Sequence, residues 1–339
     1  MTQAPTQPAS ASREHRYLRV ADLRRLRHMF FASRRVVEGQ YAGRHASPQR
    51  GHSVEFNDYR EYIPGDPLTD VDWKVLGRSD RMYIKLFEHQ SDMTVNLLVD
   101  ASASMAYRGA DAIVGDGSSW LSRVSLAASK RRRRSHADAI DRPSKYDHAC
   151  LMAAAIAFLT TKQQDKVAFG VARDGLAEFH RPAGSHVHLS NILRAMEQVA
   201  PRGQARLAEA LKDLARRVSR KGLVVIFSDL LEEREPLLKA ISAFTARGNE
   251  VIVFQIMHAE ELRLPGDVAD AVFVDSETGT RRRLNVDDIR DAYQQRLRGF
   301  LDAWSAALKA RGVDHQIVST ATPYNQALER YIFNRASMT

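Results

Sequence analysis

The chain has 339 residues, 44% of them hydrophobic, which is enough to bury the core of one large domain and of a smaller one. Its single cysteine, Cys150, excludes a disulfide within the chain, is typical of a reducing compartment and is expected to be a small core residue. The formal net charge of +9 is concentrated in two segments: residues 1–35 carry +6 (eight Arg, two acidic residues) and residues 107–144 carry +4 (eight basic, four acidic residues). The remainder is therefore close to −1, which argues against a nucleic-acid-binding groove built into the fold.

The N-terminal residues predict neither a secretory signal nor a membrane anchor. Residues 1–15 lack an apolar signal core and are predicted to be a disordered tail, and no later apolar stretch is long enough to cross a bilayer. We therefore expect a cytoplasmic protein. Residues 17–39 combine apolar positions with a dense Arg face and predict a basic amphipathic helix. Its apolar side either packs on the domain while the arginines stay solvated, or lies on an acidic membrane or partner.

The next stretch is less regular. Residues 39–60 are rich in Gly and His, and we expect His45 and His52 to lie in loops, because no cysteine or carboxylate stands at metal-ligand spacing from them. Residues 76–87 predict a strand that runs toward the next one. We assign residues 16–92 to an N-terminal helix-plus-strand region and residues 93–336 to a second domain.

From Val95 onward, apolar runs typical of strands alternate with helical patterns. This alternation predicts βαβ units and therefore an α/β fold with a Rossmann-like, doubly wound, mostly parallel sheet. The predicted strands cover residues 95–99, 167–171, 223–227, 251–256, about 271–274 and 315–318. The predicted helices cover about 146–162, 189–199, 204–219, 234–247, 287–311 and 323–335. Residues 107–144 interrupt the alternation and predict a long inserted loop, whose basic run 130–134 is either solvated or binds an acidic partner.

Five residues directly after the first of these strands, Asp100-Ala-Ser-Ala-Ser104, carry one carboxylate and two hydroxyls. Such hard oxygen ligands suit Mg²⁺ or Mn²⁺, and ligands of open α/β sheets bind beyond the carboxyl ends of the strands. The predicted strand 223–227 is followed by Ser228-Asp229, which supplies another carboxylate. We therefore predict a metal site formed by Asp100, Ser102, Ser104 and Asp229. The alternative is a structural turn in which a serine caps the following helix.

The same motif lacks what common hydrolases need. A phosphatase of the haloacid dehalogenase type would have a second aspartate at position 102, and a serine hydrolase would have a Gly-x-Ser-x-Gly elbow, whereas no glycine stands near either serine here. No Gly-rich phosphate loop ending in Gly-Lys-Ser/Thr occurs in the chain. We therefore expect a protein without enzymatic activity and without catalytic residues.

Several motifs together resemble one known family. Their order and spacing are similar to the signature of the bacterial DUF58 family: Glu55-Phe-Asn-Asp-Tyr-Arg60-Glu-Tyr-Ile-Pro-Gly65-Asp66, then Val71-Asp-Trp-Lys74, Asp100–Met105, Lys145–Ala149, Asp165–Val167 and Ser228-Asp229. The resemblance covers roughly residues 17–335 and implies a von Willebrand factor A-like (VWA-like) domain, with a metal-dependent adhesion site, after a signature region. It also implies a partner, because family members are commonly encoded beside MoxR-type AAA+ ATPases. They are thought to act with them in complex assembly or metal insertion.

The signature residues of the N-terminal region are Glu55, Arg60, Gly65, Asp66, Asp72 and Trp73. Arg60, Asp66 and Asp72 either form a half-buried Arg–Asp network with the indole of Trp73 packed over it, or bind a partner directly.

The chain departs from the family pattern at two places. Where members often have Gly-x-Thr-Asp-Leu, it has Gly203-Gln-Ala-Arg-Leu207, so Ala205 replaces a ligating threonine and Arg206 replaces an acid. We expect both changes to weaken metal binding without abolishing it, because water can fill the vacant position. Thr69 stands where an arginine often precedes the Asp-Trp pair.

The leading hypothesis is a non-enzymatic VWA-like adaptor that presents a divalent ion to an acidic residue of a protein partner, with a MoxR-type AAA+ ATPase as the candidate partner. The first alternative is a metal-dependent hydrolase that uses the Asp100 cluster, with His148 or His180 as a base by residue type alone. The second is an electrostatic binder of nucleic acid or membrane through the Arg-rich segments, with nucleic acid the less favoured partner.

Overall fold

The secondary structure of the chain, seen in a computed structural model, alternates between strands and helices. The structure describes residues 15–19, 24, 26, 29, 31, 54–62, 75, 77, 81–89, 93–109, 143–264 and 270–337. The strands are β1 (Val54–Glu61), β2 (Tyr83–His89), β3 (Thr94–Asp100), β4 (Lys166–Ala172), β5 (Leu176–Ala183), β6 (Leu223–Ser228), β7 (Glu250–Met257), β8 (Asp270–Val274), β9 (Arg281–Asn285) and β10 (Asp314–Ser319). The helices are α1 (Lys145–Lys162), α2 (His186–Gln198), α3 (Leu207–Ala215), α4 (Arg234–Ala246), α5 (Ala259–Leu262), α6 (Val286–Lys309) and α7 (Tyr324–Ser337), with a short 3-10 helix at Ala103–Ala106.

Six strands form one sheet in the order β10-β7-β6-β3-β4-β5, and only β5 runs antiparallel to its neighbour. This topology confirms the predicted α/β fold with a mostly parallel, doubly wound sheet. The chain builds the β3-β4-β5 side first and then crosses over to build β6, β7 and β10 on the other side. The direction of winding therefore reverses between β3 and β6, and ligands of open α/β sheets bind at such a reversal, beyond the carboxyl ends of the strands.

The central helix of the larger unit is α1. It contacts β3, β4, β6 and β7 and also α2 and α7, and sixteen of its eighteen residues are buried. Five of these residues are alanines, whose small side chains let the helix lie close to the sheet. Cys150 lies in this helix with no exposed surface, and burial raises the pKa of its thiol, which confirms the expectation of a core residue.

The predicted strands of the large sheet are confirmed, but three strands (β1, β5 and β9) were missed and several boundaries differ. β5 and β9 were not predicted, and β8 pairs with β9 in a separate hairpin instead of joining the large sheet. The predicted strand 76–87 begins only at Tyr83 and pairs with β1, a strand that lies in the stretch expected to be irregular. The predicted helix 204–219 is shorter (Leu207–Ala215), and its first predicted residues lie in a loop: the backbones of Gln204 and Ala205 donate to Asp174 and Glu277, each at 3.2 Å.

Both ends of the predicted inserted loop 107–144 are part of the packed structure. Tyr107 O accepts a hydrogen bond from the backbone of Lys145 at 3.1 Å, and its hydroxyl donates to Glu260 at 2.9 Å. Ser144 is the N-cap of α1. Residues 110–142, including the basic run 130–134, lie outside the described residues.

The chain divides into two compact units, residues 34–92 and the remainder. The smaller unit contains the antiparallel pair β1–β2. Residues 16–33, which we assigned to the region 16–92, group with the larger unit. Within the predicted helix 17–39, residues 24 and 26 are helical and Leu26 is buried; most of that helix, like the predicted tail up to residue 14, lies outside the described residues.

Among the residues that the structure describes, no helix combines the length and the apolar character needed to cross a membrane.

Asp147 joins the N-terminal segment to the first turn of α1. One carboxylate oxygen accepts hydrogen bonds from the guanidinium of Arg16 at 2.8 Å and the hydroxyl of Tyr17 at 2.9 Å. The other accepts from the backbone and hydroxyl of Ser144 at 3.1 and 2.9 Å, which completes a capping box, and lies 3.2 Å from the guanidinium of Arg108. Four partners therefore depend on one buried carboxylate.

Replacing Asp147 with Ala should lower the free energy of unfolding by roughly 2–4 kcal/mol, because it removes the cap and leaves buried donors without an acceptor. Urea unfolding would measure this loss. Glu197→Gln is the matched control, because Glu197 also accepts from Arg16 (its backbone, at 2.8 Å) but is more exposed. Equal losses for the two variants would show that Asp147 does not hold the segment.

Candidate functional site

The Asp100 motif lies at the carboxyl end of β3, where the winding of the sheet reverses. Asp100 is buried, and its Oδ1 accepts a hydrogen bond from the backbone of Ser102 at 2.9 Å. Its Oδ2 accepts from the hydroxyl of Ser228, the last residue of β6, at 2.6 Å. The hydroxyl oxygens of Ser102 and Ser104 lie 3.1 Å apart. The structure therefore brings the three motif residues together and adds Ser228, which the sequence analysis did not assign to the site.

Asp229 follows directly in the chain and has no exposed surface. Its Oδ1 accepts from the backbone of Leu231 at 3.2 Å, and its Oδ2 accepts from the ammonium of Lys145 at 2.8 Å. The same ammonium donates to Glu261 at 2.6 Å. Leu230, the residue between Asp229 and Leu231, has a left-handed backbone (φ 59°). This conformation is uncommon for a branched side chain and turns the loop sharply. The sequence analysis placed Asp229 correctly at a strand end but missed both Lys145 and Glu261.

The two carboxylates influence each other through the protein interior. Burial, and after it the negative charge of Asp229, raise the pKa of Asp100 to about 7, against hydrogen bonds from Ser228 and Ser102 that lower it. Two negative charges in a water-poor site repel strongly unless a cation lies nearby. The described structure provides one such cation in the ammonium of Lys145.

The loop before α3 closes the other side of the site. Arg202 donates its backbone N–H to Ala101 O at 2.9 Å, so the loop is fixed against the Asp100 turn. Ala205, which stands where the family pattern has a threonine, carries no side-chain oxygen, and its backbone donates to Glu277 at 3.2 Å. Arg206 forms an ion pair with Glu209 at 3.7 Å on the exposed surface of α3. The cation that the structure places on the predicted ligands is Lys145.

The donor chemistry fits a hard divalent ion on the Asp100 side of the site. Two neighbouring ligands of an octahedral Mg²⁺, each about 2.1 Å from the ion, lie about 3.0 Å apart. The two serine hydroxyls match that spacing at 3.1 Å, next to a carboxylate. On the other side the fit is poorer, because Asp229 is paired with Lys145 and position 205 has no side-chain oxygen. Among the described residues, no three His, Cys, Asp or Glu side chains cluster as a metal site, so a site here depends on the serines.

A cleft opens beside Ser104. It has a volume of about 760 Å³, and the β8–β9 hairpin forms one wall of it. Its apolar lining comes from Leu231, Phe273, Val274 and Leu284, of which Leu231 and Val274 are about half exposed. We call this space the hairpin cleft. It joins an apolar surface to the mouth of the serine pair, and nothing in the sequence pattern of the hairpin indicated this.

The other residues singled out in the sequence lie elsewhere. Glu55 and Arg60 are in β1, whereas Gly65, Asp66, Thr69, Asp72 and Trp73 lie outside the described residues, as do His45 and His52. His180 on β5 pairs in register with Phe169, three residues before the site edge of β4, which is about 10 Å along the strand. His148 is buried in α1.

The comparison with family models shows to which protein family the chain belongs. The model described as "Protein of unknown function DUF58" matches residues 58–116 and 124–299. The chain belongs to the DUF58 family. This DUF58 protein is 27% identical over 275 residues to the uncharacterized protein Rv1480 of Mycobacterium tuberculosis, an alignment that covers 79% of the chain and 75% of the relative. It is also 32% identical over 119 residues to the uncharacterized protein MAV169 of Mycobacterium avium, which covers 33% of the chain and 68% of that protein.

Solved structures similar to this DUF58 protein include VWA domains. BatB from Bacteroides thetaiotaomicron has a TM-score of 0.43 at 13% identity, covering 72% of the chain and 99% of BatB. The SpRpn10 VWA domain has a TM-score of 0.37 at 11% identity, covering 70% of the chain and 94% of the domain. At scores this low, the α/β fold rests on the observed sheet topology and not on these neighbours.

His148 makes the stability of this DUF58 protein depend on pH. Burial lowers the pKa of this imidazole from 6.5 to about 4, so the folded protein binds the proton less tightly than the unfolded chain does. The stabilisation by neutral His148 is complete above pH 6.5 and is lost as the pH falls toward 4, by up to roughly 3 kcal/mol.

His148→Leu should therefore remove this part of the stability loss between pH 7 and pH 4, as measured by urea unfolding at several pH values. The matched control is His186→Leu on an exposed residue, which should keep the pH dependence of the wild type. A His148→Leu profile that follows the wild type would contradict the assignment.

Proposed function

We propose that this DUF58 protein is a non-enzymatic, VWA-like adaptor that binds a protein partner at the carboxyl edge of its sheet. The observation that carries the proposal is the juxtaposition of Asp100, Ser102 and Ser104 with the hairpin cleft. Oxygen ligands at the reversal of a doubly wound sheet favour a ligand site, and an apolar surface that continues from them favours a macromolecular ligand.

The proposal includes a divalent ion, Mg²⁺ or Mn²⁺, at this edge. Asp100, Ser102 and Ser104 would hold it, with Asp229 behind them. A bound ion of this kind would offer an open coordination position to a carboxylate of the partner. The chain's own residues preorganise this ligand. The backbone of Ser102 and the hydroxyl of Ser228 each donate a hydrogen bond to one oxygen of Asp100 and so fix the orientation of the carboxylate before an ion binds.

The chemistry around the cleft favours a partner segment with an apolar side chain. Leu231 and Val274 offer exposed apolar surface. The charged residues that line the cleft are of both signs, Asp275, Glu277 and Arg282, so a preference for an acidic partner would come from the ion and not from the cleft. A MoxR-type AAA+ ATPase is the candidate that the family resemblance favours, with complex assembly or maturation as the shared task.

Titration calorimetry with Mn²⁺ tests the ion part of the proposal. We expect weak binding, with a dissociation constant on the order of 10⁻³ M, because the site offers few charged ligands. Asp100→Ala should remove the binding, whereas Asp213→Ala, on the exposed face of α3, should leave it unchanged. Identical titrations for wild type and Asp100→Ala would contradict a metal site at this edge.

A binding assay with the purified MoxR-type ATPase of the same organism tests the partner. Wild-type protein should bind it in the presence of Mg²⁺, and Val274→Glu should weaken the binding at least about tenfold, or 1.4 kcal/mol, by placing a charge on the apolar wall. Glu260→Gln, away from the cleft lining, serves as the control. If the ATPase does not bind, or binds both variants equally, the proposed partner or the proposed surface is wrong.

The competing hypothesis is a metal-dependent hydrolase that uses the Asp100 cluster. A screen with phosphatase, esterase, peptidase and nucleotidase substrates separates the two. We expect no turnover, and turnover that disappears in Asp100→Ala would favour the hydrolase.

A further inference from the structure

Lys145 is a fully buried lysine at the first position of α1. Lysine is among the residues that proteins bury least often, because removing an ammonium from water costs a large amount of free energy unless it is paired. Here the ammonium is paired with two carboxylates: it donates to Asp229 at 2.8 Å and to Glu261 at 2.6 Å. The side chain of Asp229 is itself fully buried, and that of Glu261 is 22% exposed.

The ammonium stays charged in this position. Two carboxylates, Asp229 and Glu261, lie within hydrogen-bond distance of the ammonium and favour its charged form. A permanent positive charge therefore lies on the carboxylate that was predicted to complete the metal site. The charge of Asp229 is cancelled at short range before any other cation reaches it.

Both oxygens of Asp229 are occupied by donors. Oδ2 accepts from Lys145, and Oδ1 accepts from the backbone of Leu231 at 3.2 Å. On the neighbouring loop, Ala205 contributes no side-chain oxygen, and its backbone N–H is directed to Glu277. An ion at Asp100 and the two serines would therefore meet a neutralised carboxylate at Asp229 and would receive no side-chain oxygen from position 205.

We propose that the ammonium of Lys145 is a built-in counter-cation. It neutralises Asp229 in place of a metal ion and keeps the affinity of this edge for divalent cations low. The inference rests on the proposed function, because it concerns the same edge and the same ion. It goes further because it assigns the control of metal affinity to Lys145, a residue of α1. A second consequence is that the folded edge does not need an ion for stability, because the buried carboxylate already has its counter-charge.

The first test compares the Mn²⁺ affinity of wild type, Lys145→Gln and Lys145→Arg by calorimetry. Glutamine keeps hydrogen-bond donors for Asp229 but removes the charge, so Mn²⁺ should bind at least tenfold more tightly than in the wild type. Arginine keeps the charge and should leave the affinity within about threefold of the wild type. Thermal melting gives an independent readout: Mn²⁺ should raise the melting temperature of Lys145→Gln clearly and that of the wild type very little, since an ion stabilises in proportion to its affinity.

A double replacement covers the case in which Lys145→Gln does not fold. Lys145→Met combined with Asp229→Asn removes both charges of the pair at similar volume, which proteins tolerate better than an unpaired buried charge. Since the pair is already neutral in the wild type, the double variant should bind Mn²⁺ within about threefold of the wild type. Asp229→Asn alone should bind more weakly, because it leaves the ammonium uncompensated on that side.

The outcomes separate this inference from the proposed function. Equal affinities in wild type and Lys145→Gln, or loss of binding in the double variant, would overturn the role of Lys145 while leaving the ion at Asp100 in place. Binding that appears only in Lys145→Gln would support the role of Lys145 and contradict an ion in the native chain. If Mn²⁺ binds to none of the variants, both proposals are wrong.

Discussion

The architecture of this protein depends on the meeting of two buried acidic residues, Asp100 and Asp229, at the point where the winding of the sheet reverses. Parallel strands bring their carboxyl ends to one edge, and β3 and β6 are adjacent, so their following residues must share a small space. The fold tolerates this because each carboxylate has its own donors: the backbone of Ser102 and the hydroxyl of Ser228 for Asp100, and the ammonium of Lys145 for Asp229. Everything proposed for this edge follows from how those charges are balanced.

The four central strands of the large sheet, β3, β4, β6 and β7, were predictable because they are buried on both faces. Leu223–Phe227 is continuously apolar, and Val95–Val99 is apolar except for Asn96, which is typical of parallel strands covered by helices on both sides. The missed strands lack that signal. β5 is an edge strand whose residues are partly exposed, and β9 has three consecutive arginines with every residue exposed. Their pairing with β4 and β8 stabilises them, and a pattern read along one segment does not report its pairing partner.

The site was predictable to the extent that its residues are consecutive in the chain. Asp100, Ser102 and Ser104 form one short motif, and Asp229 stands at a recognisable strand end. Lys145 and Glu261 are separated in sequence by 116 residues and converge only because the N-terminus of α1 and the short helix α5 lie beside the same edge. A lysine at a helix start is usually solvated, so its type and position gave no indication of burial. The inference about metal affinity therefore had to wait for the structure.

Asp147 gives the first turn of α1 a second structural role, which is to hold the N-terminal segment. It lies two residues after Lys145 and accepts hydrogen bonds from Arg16 and Tyr17, which belong to a segment that residues 34–92 separate in sequence from the rest of its compact unit. The folding unit is thus discontinuous: a fragment that starts at residue 93 would contain every strand of the large sheet and would keep Arg108 and Ser144, but would lack Arg16 and Tyr17, two of the four partners of this carboxylate. In sequence, the smaller unit (residues 34–92) is therefore an insertion between the N-terminal segment that carries Arg16 and Tyr17 and the rest of the larger unit.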